Sequence, residues 1–197
     1  MSAGVARVGR PPATTGDALE AVAMRLFVTQ GFDTTTVEDI AAAAGIGRRT
    51  FFRYFASKND LVWGRFAEGL TEFREHLDGT PADLPTATAL REAIVAFNAL
   101  PPDQVPVHRQ RMSLILTVSS LQAHSTLMYA EWRGIVAEFV ATRVGGNPDD
   151  PLPRLAGHLM LGAAVAAYEQ WLADPAVELT DVLDLAVARA GRFLDEP

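Results

Sequence analysis

The 197 residues contain no cysteine. That excludes disulfides, thiolate metal sites and cysteine nucleophiles, and fits a reducing compartment. Apolar residues make up 49% of the chain, yet no apolar run reaches the roughly 18 residues of a transmembrane helix. The opening MSAGVARVGRPPATT lacks the apolar centre of a secretory signal, so a cytoplasmic protein is expected. Alternating β-branched runs are scarce, and strands are not expected. The four histidines, His76, His108, His124 and His158, include no i, i+4 pair and join no carboxylate cluster. A structural or solvent-exposed role is expected for each. Ser119 and Ser120 have no G-x-S-x-G elbow around them, and no glycine-rich phosphate loop occurs. No enzyme, metal site or cofactor is therefore expected.

The net charge of −7 also speaks against a polyanionic partner. Its distribution reverses that. Residues 1–60 carry seven basic and six acidic groups, while the rest carries ten basic and eighteen acidic. A weakly basic head on an acidic body is compatible with nucleic acid, because the local patch sets the contact.

What is present is concentrated between Thr34 and Leu61, TTTVEDIAAAAGIGRRTFFRYFASKNDL. Thr36 can cap a helix, with Glu38 and Asp39 in its favoured first turn. Gly45 ends that helix through a left-handed conformation. Ile46 plugs the turn, and Gly47 starts a second helix, Arg48 to Phe55. Phe51, Tyr54 and Phe55 lie at i, i+3, i+4 and give it one apolar face. Arg48, Arg49 and Thr50 occupy its first turn, with Phe52 and Arg53 on the other side. A helix with polar donors at its start and an aromatic anchor behind suits reading of base edges in a major groove. The helix–AxxxGI–helix pattern alone serves an ordinary αα-hairpin equally well.

GFDTTTVEDIAAAAGIGRRTFFRYFASKNDLV resembles the DNA-binding domain of TetR-family transcriptional regulators. The likeness covers about a quarter of the chain, from Asp17 through the S-K-x-x-L start of the next helix. GRRTFFRYF followed by SKND and WG is similar to the subgroup that includes regulators of mycofactocin biosynthesis clusters. The resemblance implies an all-α fold. An N-terminal three-helix helix-turn-helix domain is joined to a C-terminal helical domain that binds a ligand and dimerises. The expected division is a flexible basic arm over 1–14, a DNA-binding domain over 15–60 and a helical domain over 61–197.

Arg7 and Arg10 in the arm can enter a minor groove or belong to a solvated tail. Thr36, Tyr54 and Lys58 are expected on phosphates. Lys58 is aided by the start of its helix, which Ser57 caps. Gly47, Arg48, Arg49, Thr50, Phe52 and Arg53 are expected at or near the groove. Helices are predicted over 15–30, 36–44, 48–55, 57–79, 88–100, 104–118, 120–144, 152–173 and 179–194, about nine in all.

Phe66, Phe97, Met112, Ile115, Leu116, Ser119, Met128, Trp132, Met160 and Tyr168 are candidates for a small-molecule site between helices. The same residues can simply be core. His108, Arg109 and Arg111 can meet an anionic group at its mouth or lie at the surface. The last two helices are apolar on more than one face, through Leu155, Leu159, Gly162, Ala163, Ala166, Ala186, Ala190 and Phe193. Such helices are buried twice, and in TetR-like proteins they form a four-helix dimer interface.

The sequence thus predicts a homodimeric regulator, a repressor that a hydrophobic or amphipathic effector releases from a palindromic operator. Acyl-CoA thioesters, fatty acids and lipophilic compounds are used in the family. Its rivals are a ligand-independent regulator or activator on the same fold, and an all-α enzyme acting on acyl thioesters.

Overall fold

The computed structural model describes residues 15–194, which form helices and no strand. Two compact units divide after Gly64.

In the first unit, Thr15 caps α1 (Gly16–Gln30) by accepting the Ala18 N–H at 3.2 Å. Leu19, Ala23 and Phe27 face inward at helical spacing. Gly31, at φ +89°, ends the helix. Phe32 follows, buried, with its ring 4.8 Å from that of Phe27. Thr36 caps α2 (Val37–Ala43) in a reciprocal box: its Oγ1 accepts from Asp39 N–H, and Asp39 Oδ2 accepts from Thr36 N–H. The Thr36 hydroxyl, donating to Asp39 Oδ2 at 2.6 Å, and then the Thr36 N–H hold the Asp39 carboxyl below the usual carboxylate range. Gly45 at φ +66° turns the chain. Ile46 N–H returns to the Ala41 carbonyl at 2.9 Å, and α3 (Arg48–Tyr54) begins after Gly47. Ser57 caps α4 (Lys58–Trp63).

The single helix predicted over 57–79 is two. Gly64 takes φ +53° and ψ −123°, a conformation outside any helix, and α5 (Phe66–Asp78) starts afresh beyond it. The described residues therefore hold ten α-helices where the sequence predicts about nine. A glycine inside a helical pattern is tolerated at a cost of ~1 kcal/mol, so hydropathy alone does not locate the break.

The second unit contains α5, α6 (Thr86–Phe97), α7 (Val105–Thr117), α8 (Ser119–Val144), α9 (Pro151–Ala173) and α10 (Leu179–Gly191), closed by a 3-10 turn over Arg192–Leu194. Extended Val118 separates α7 from α8. α9 packs on both α8 and α10. Gly157 permits the first contact, since a Cβ there would lie 2.8 Å from the Arg133 carbonyl. Arg143 closes the far end of α8 onto the loop between α5 and α6. Its guanidinium donates to the Pro81, Ala82 and Leu84 carbonyls and to Thr80 Oγ1, at 2.7 to 3.0 Å. No helix among the described residues is long and apolar enough to cross a membrane.

Candidate nucleic-acid interface

α3 is a short helix with divided chemistry. Phe51 is fully buried and anchors it, edge-on to Phe52 at 5.3 Å and tilted against Phe55 at 6.1 Å. Arg48, Arg49, Phe52, Arg53 and Tyr54 are exposed, and Thr50 is half-buried. Gly47 offers no side chain to cap the helix, so its first N–H groups are open to an acceptor. Phe52 stays 43% exposed.

The cations differ in posture. Arg48 Nη1 lies 2.8 Å from Glu38 Oε1, and its guanidinium sits 5.4 Å from the Phe52 ring centre. Arg53 lies over the Tyr54 ring at 5.1 Å and donates to its hydroxyl at 3.2 Å. Arg49 makes no ion pair or ring contact among the described residues. Arg7 and Arg10 lie outside the described residues.

Lys58 departs from expectation. Its ammonium donates to the carbonyls of Phe32 at 2.8 Å and Thr35 at 3.0 Å, approaches that of Asp33 at 3.5 Å, and lies 4.3 Å from the centre of the Phe32 ring. These carbonyls sit in the link from α1 to α2 and take up the donors expected on a phosphate. The sequence hides this because the partners lie 23 to 26 residues away. Thr36 likewise spends its hydroxyl on Asp39.

In the second unit, three of the ten expected cavity residues, Phe66, Phe97 and Trp132, pack in a run of aromatic rings with Phe73. Phe66 meets Phe97 edge-on at 6.1 Å, Phe97 meets Phe73 at 5.3 Å, and Phe73 stacks on Trp132 at 5.4 Å. Met112, Ile115, Met160 and Tyr168 are buried, Leu116 and Met128 half-buried, and Ser119 is exposed at the start of α8. A pocket of about 540 Å³ opens elsewhere, between α5, α8 and the loop after α5, lined by residues including Arg74, Asp78, Glu138 and Arg143. None of the ten lines it. Across this pocket Arg74 of α5 pairs with Glu138 of α8.

A polar chain crosses this core, and Asn98 within it was not foreseen. Asn98 Nδ2 donates to the Ile94 carbonyl at 2.7 Å, which orients the amide. Its Oδ1 accepts from the Tyr168 hydroxyl at 2.7 Å. The Tyr168 oxygen then accepts from His108 Nε2 at 2.8 Å, so Nε2 carries the hydrogen. Burial lowers the His108 pKa to about 4 and raises that of Tyr168. Burial also lowers the Arg111 pKa. Arg109 lies over the Trp171 ring at 4.0 Å and donates to the Trp171 carbonyl. His108 and Arg109 thus hold α7 to α9.

Along α9, Leu152, Leu155, Leu159, Gly162 and Ala166 are exposed, while Ala156, Met160, Ala164 and Ala167 are buried on the opposite side. Ala163, Ala186, Ala190 and Phe193 are half-buried. A Cβ on Gly162 would meet nothing within 4 Å.

Residues 19–62 match the model for bacterial regulatory proteins of the tetR family, and residues 84–194 match that for the MftR C-terminal domain. A Mycobacterium tuberculosis protein provisionally named mycofactocin biosynthesis transcriptional regulator MftR is 45% identical, over 96% of each chain. The regulator TcmR of Streptomyces glaucescens is 32% identical, over 69% of this chain and 63% of its own. Among solved structures, SmeT, the repressor of the Stenotrophomonas maltophilia multidrug efflux pump SmeDEF, shares the fold. Its TM-score is 0.63 at 18% identity, with 90% of this chain and 89% of SmeT covered. The polar-tipped, aromatically anchored α3 lies within the segment that the first model matches, and the chain belongs to the TetR family of transcriptional regulators.

Proposed function

We propose that the protein is a homodimeric repressor that leaves a palindromic operator when a small hydrophobic or amphipathic effector binds its helical second unit. One observation carries the reading: α3 exposes Arg48, Arg49 and Phe52 while buried Phe51 fixes its inner face. The exposed donors suit bases or backbone in the major groove, with an arginine that reads a base favouring the paired acceptors of guanine. Gly47, Thr50, Arg53 and Tyr54 flank them and suit the sugar–phosphate backbone. One head spans few base pairs, so two related by a twofold axis are needed for a tight, specific complex. The apolar stripe of α9 supplies a self-complementary face for that pairing.

An effector acts by binding the DNA-incompetent state better, with a coupling of ~1–3 kcal/mol typical. Relatives carry regulator names and no acid–base set lies in the sequence, so the reading is of a binding protein. A mobility shift on DNA upstream of its own and neighbouring genes tests it, with acyl-CoAs, fatty acids and lipophilic compounds titrated in. Release of bound DNA supports the reading. The ring-on-ring packing of Phe66, Phe97, Phe73 and Trp132 favours a second one, a regulator that answers to no ligand. Specific DNA binding that no compound relieves would establish that alternative.

A further inference from the structure

We infer that Glu38 is a specificity-determining residue that poses Arg48 for one guanine of each half-site. The inference rests on the DNA-reading function above. The two acids in the first turn of α2 divide their work. Asp39 closes the capping box with Thr36, while Glu38 reaches across the turn to the first residue of α3, its Oε1 2.8 Å from Arg48 Nη1. The turn between them, with Gly45 at φ +66°, joins the two helices. Phe52, one helical turn after Arg48, carries its ring 5.4 Å from the same guanidinium. Phe52 is itself fixed edge-on to buried Phe51. Arg48 is thus held by a carboxylate at one nitrogen and an aromatic ring beside it, both tied to the core of the first unit.

This arrangement does little for folding, since both partners of the ion pair are more than half exposed and water screens such pairs. It also places a negative charge beside a surface meant for phosphates, which lowers affinity for any DNA. A feature that costs affinity and adds little stability has its use in discrimination. A guanidinium ordered before binding loses less conformational entropy on docking. Its remaining donors can then meet the two major-groove acceptors of guanine. Loss of water in the groove strengthens the Glu38–Arg48 attraction and keeps the fork from swinging to a phosphate. Arg49, lacking such a holder among the described residues, is left to the backbone.

The test uses the full chain and a randomised duplex library. Wild type, Arg48→Ala, Glu38→Ala and Glu38→Gln are each taken through selection. Kd is then measured on the wild-type consensus and on single base-pair substitutions. The expected result is a G·C preference in each half-site that Arg48→Ala abolishes. Both Glu38 variants should shrink it by about tenfold at that pair alone, with preferences elsewhere, thermal midpoints and circular dichroism unchanged. Affinity for random DNA should stay level or rise. If the Glu38 variants bind all sequences more tightly with the preference intact, Glu38 is only a repulsive charge and the inference fails. If Arg48→Ala selects the wild-type consensus, Arg48 is not a reader and the inference fails while the function stands. A wild-type selection without any consensus overturns the function and the inference together.

Discussion

The Lys58 ammonium donates to the Phe32 carbonyl at 2.8 Å while lying 4.3 Å from the centre of the same residue's ring. With Thr35 also accepting at 3.0 Å, Lys58 fastens the start of α4 to the chain that leads into α2. Lys58→Met keeps the stem and removes the donors, leaving partly buried carbonyls unsatisfied. A loss of roughly 1–3 kcal/mol in the stability of the first unit is expected. Urea unfolding followed by circular dichroism measures it. A phosphate-binding lysine would instead leave stability unchanged and reduce the salt slope of DNA binding by about one unit.

Replacing Arg48 or Arg49 by Ala should each weaken operator binding, by ~1–3 kcal/mol where the side chain reads a base. The two should differ in kind. Arg48, held by Glu38 and Phe52, should lose preference at one base pair. Arg49 should lose affinity for all sequences alike. Gel shifts on matched and mismatched duplexes separate the two, and unchanged affinity in both variants would remove α3 from the interface.

What was legible in the sequence was local. Thr36 and Ser57 announce caps because their partners, Asp39 and Asp60, stand three residues on. Gly31, Gly45 and Gly145 end helices in positive φ, and each closes an apolar periodicity that runs out at that point. The reading helix was legible for the same reason, with its anchor and its donors inside seven residues. Contacts across the chain were not. Lys58 reaches back 26 residues to Phe32, and His108 meets Tyr168 from 60 residues away. Arg143 caps a loop about 60 residues before it. A polar residue on an apolar helix face looks identical whether it lines a cavity or bonds to a distant core group. That is why the bond from Tyr168 to Asn98 had no signal in the sequence. Gly64 was misread because its neighbours on both sides suit a helix, and only its backbone angles break it.

Stability should fall as acid titrates His108. Its folded pKa of about 4 lies below the ordinary 6.5, so between those values the unfolded chain binds more protons than the native one. Unfolding free energy therefore rises with pH across this window and is lost as pH falls from 6.5 toward 4. From pH 7.5 to pH 5 the loss should be about 2 kcal/mol for this group. His108→Gln keeps a donor toward Tyr168 and removes the titration, so its urea midpoint should be flatter with pH. Parallel curves for wild type and variant would show that His108 does not carry the dependence.

The exposed stripe of α9 leads to the last expectation. Leu155 and Leu159 remain 48% and 39% exposed, and Gly162 and Ala166 continue their face with open space beyond Gly162. The opposite face is filled by the protomer itself, where a Cβ on Gly157 would lie 2.8 Å from the Arg133 carbonyl. One helix therefore allows two separate tests. Ala166→Arg points a long cation from an exposed position, so the protomer should keep its helical signal. Burying that charge against a twofold copy has a large desolvation cost, and the variant should sediment as a monomer where wild type sediments as a dimer. Ala163→Arg, at a half-buried site, should do the same with some loss of thermal stability. Gly157→Ala should lower stability without a direct effect on association, because the crowded atom belongs to α8 of the same chain. In a dimer whose half-sites lie about one helical turn apart, ~34–36 Å, or a multiple of it, Ala166→Arg should also lose the second half-site and bind a single one weakly. A folded Ala166→Arg that still sediments as a dimer would move the interface off this face of α9.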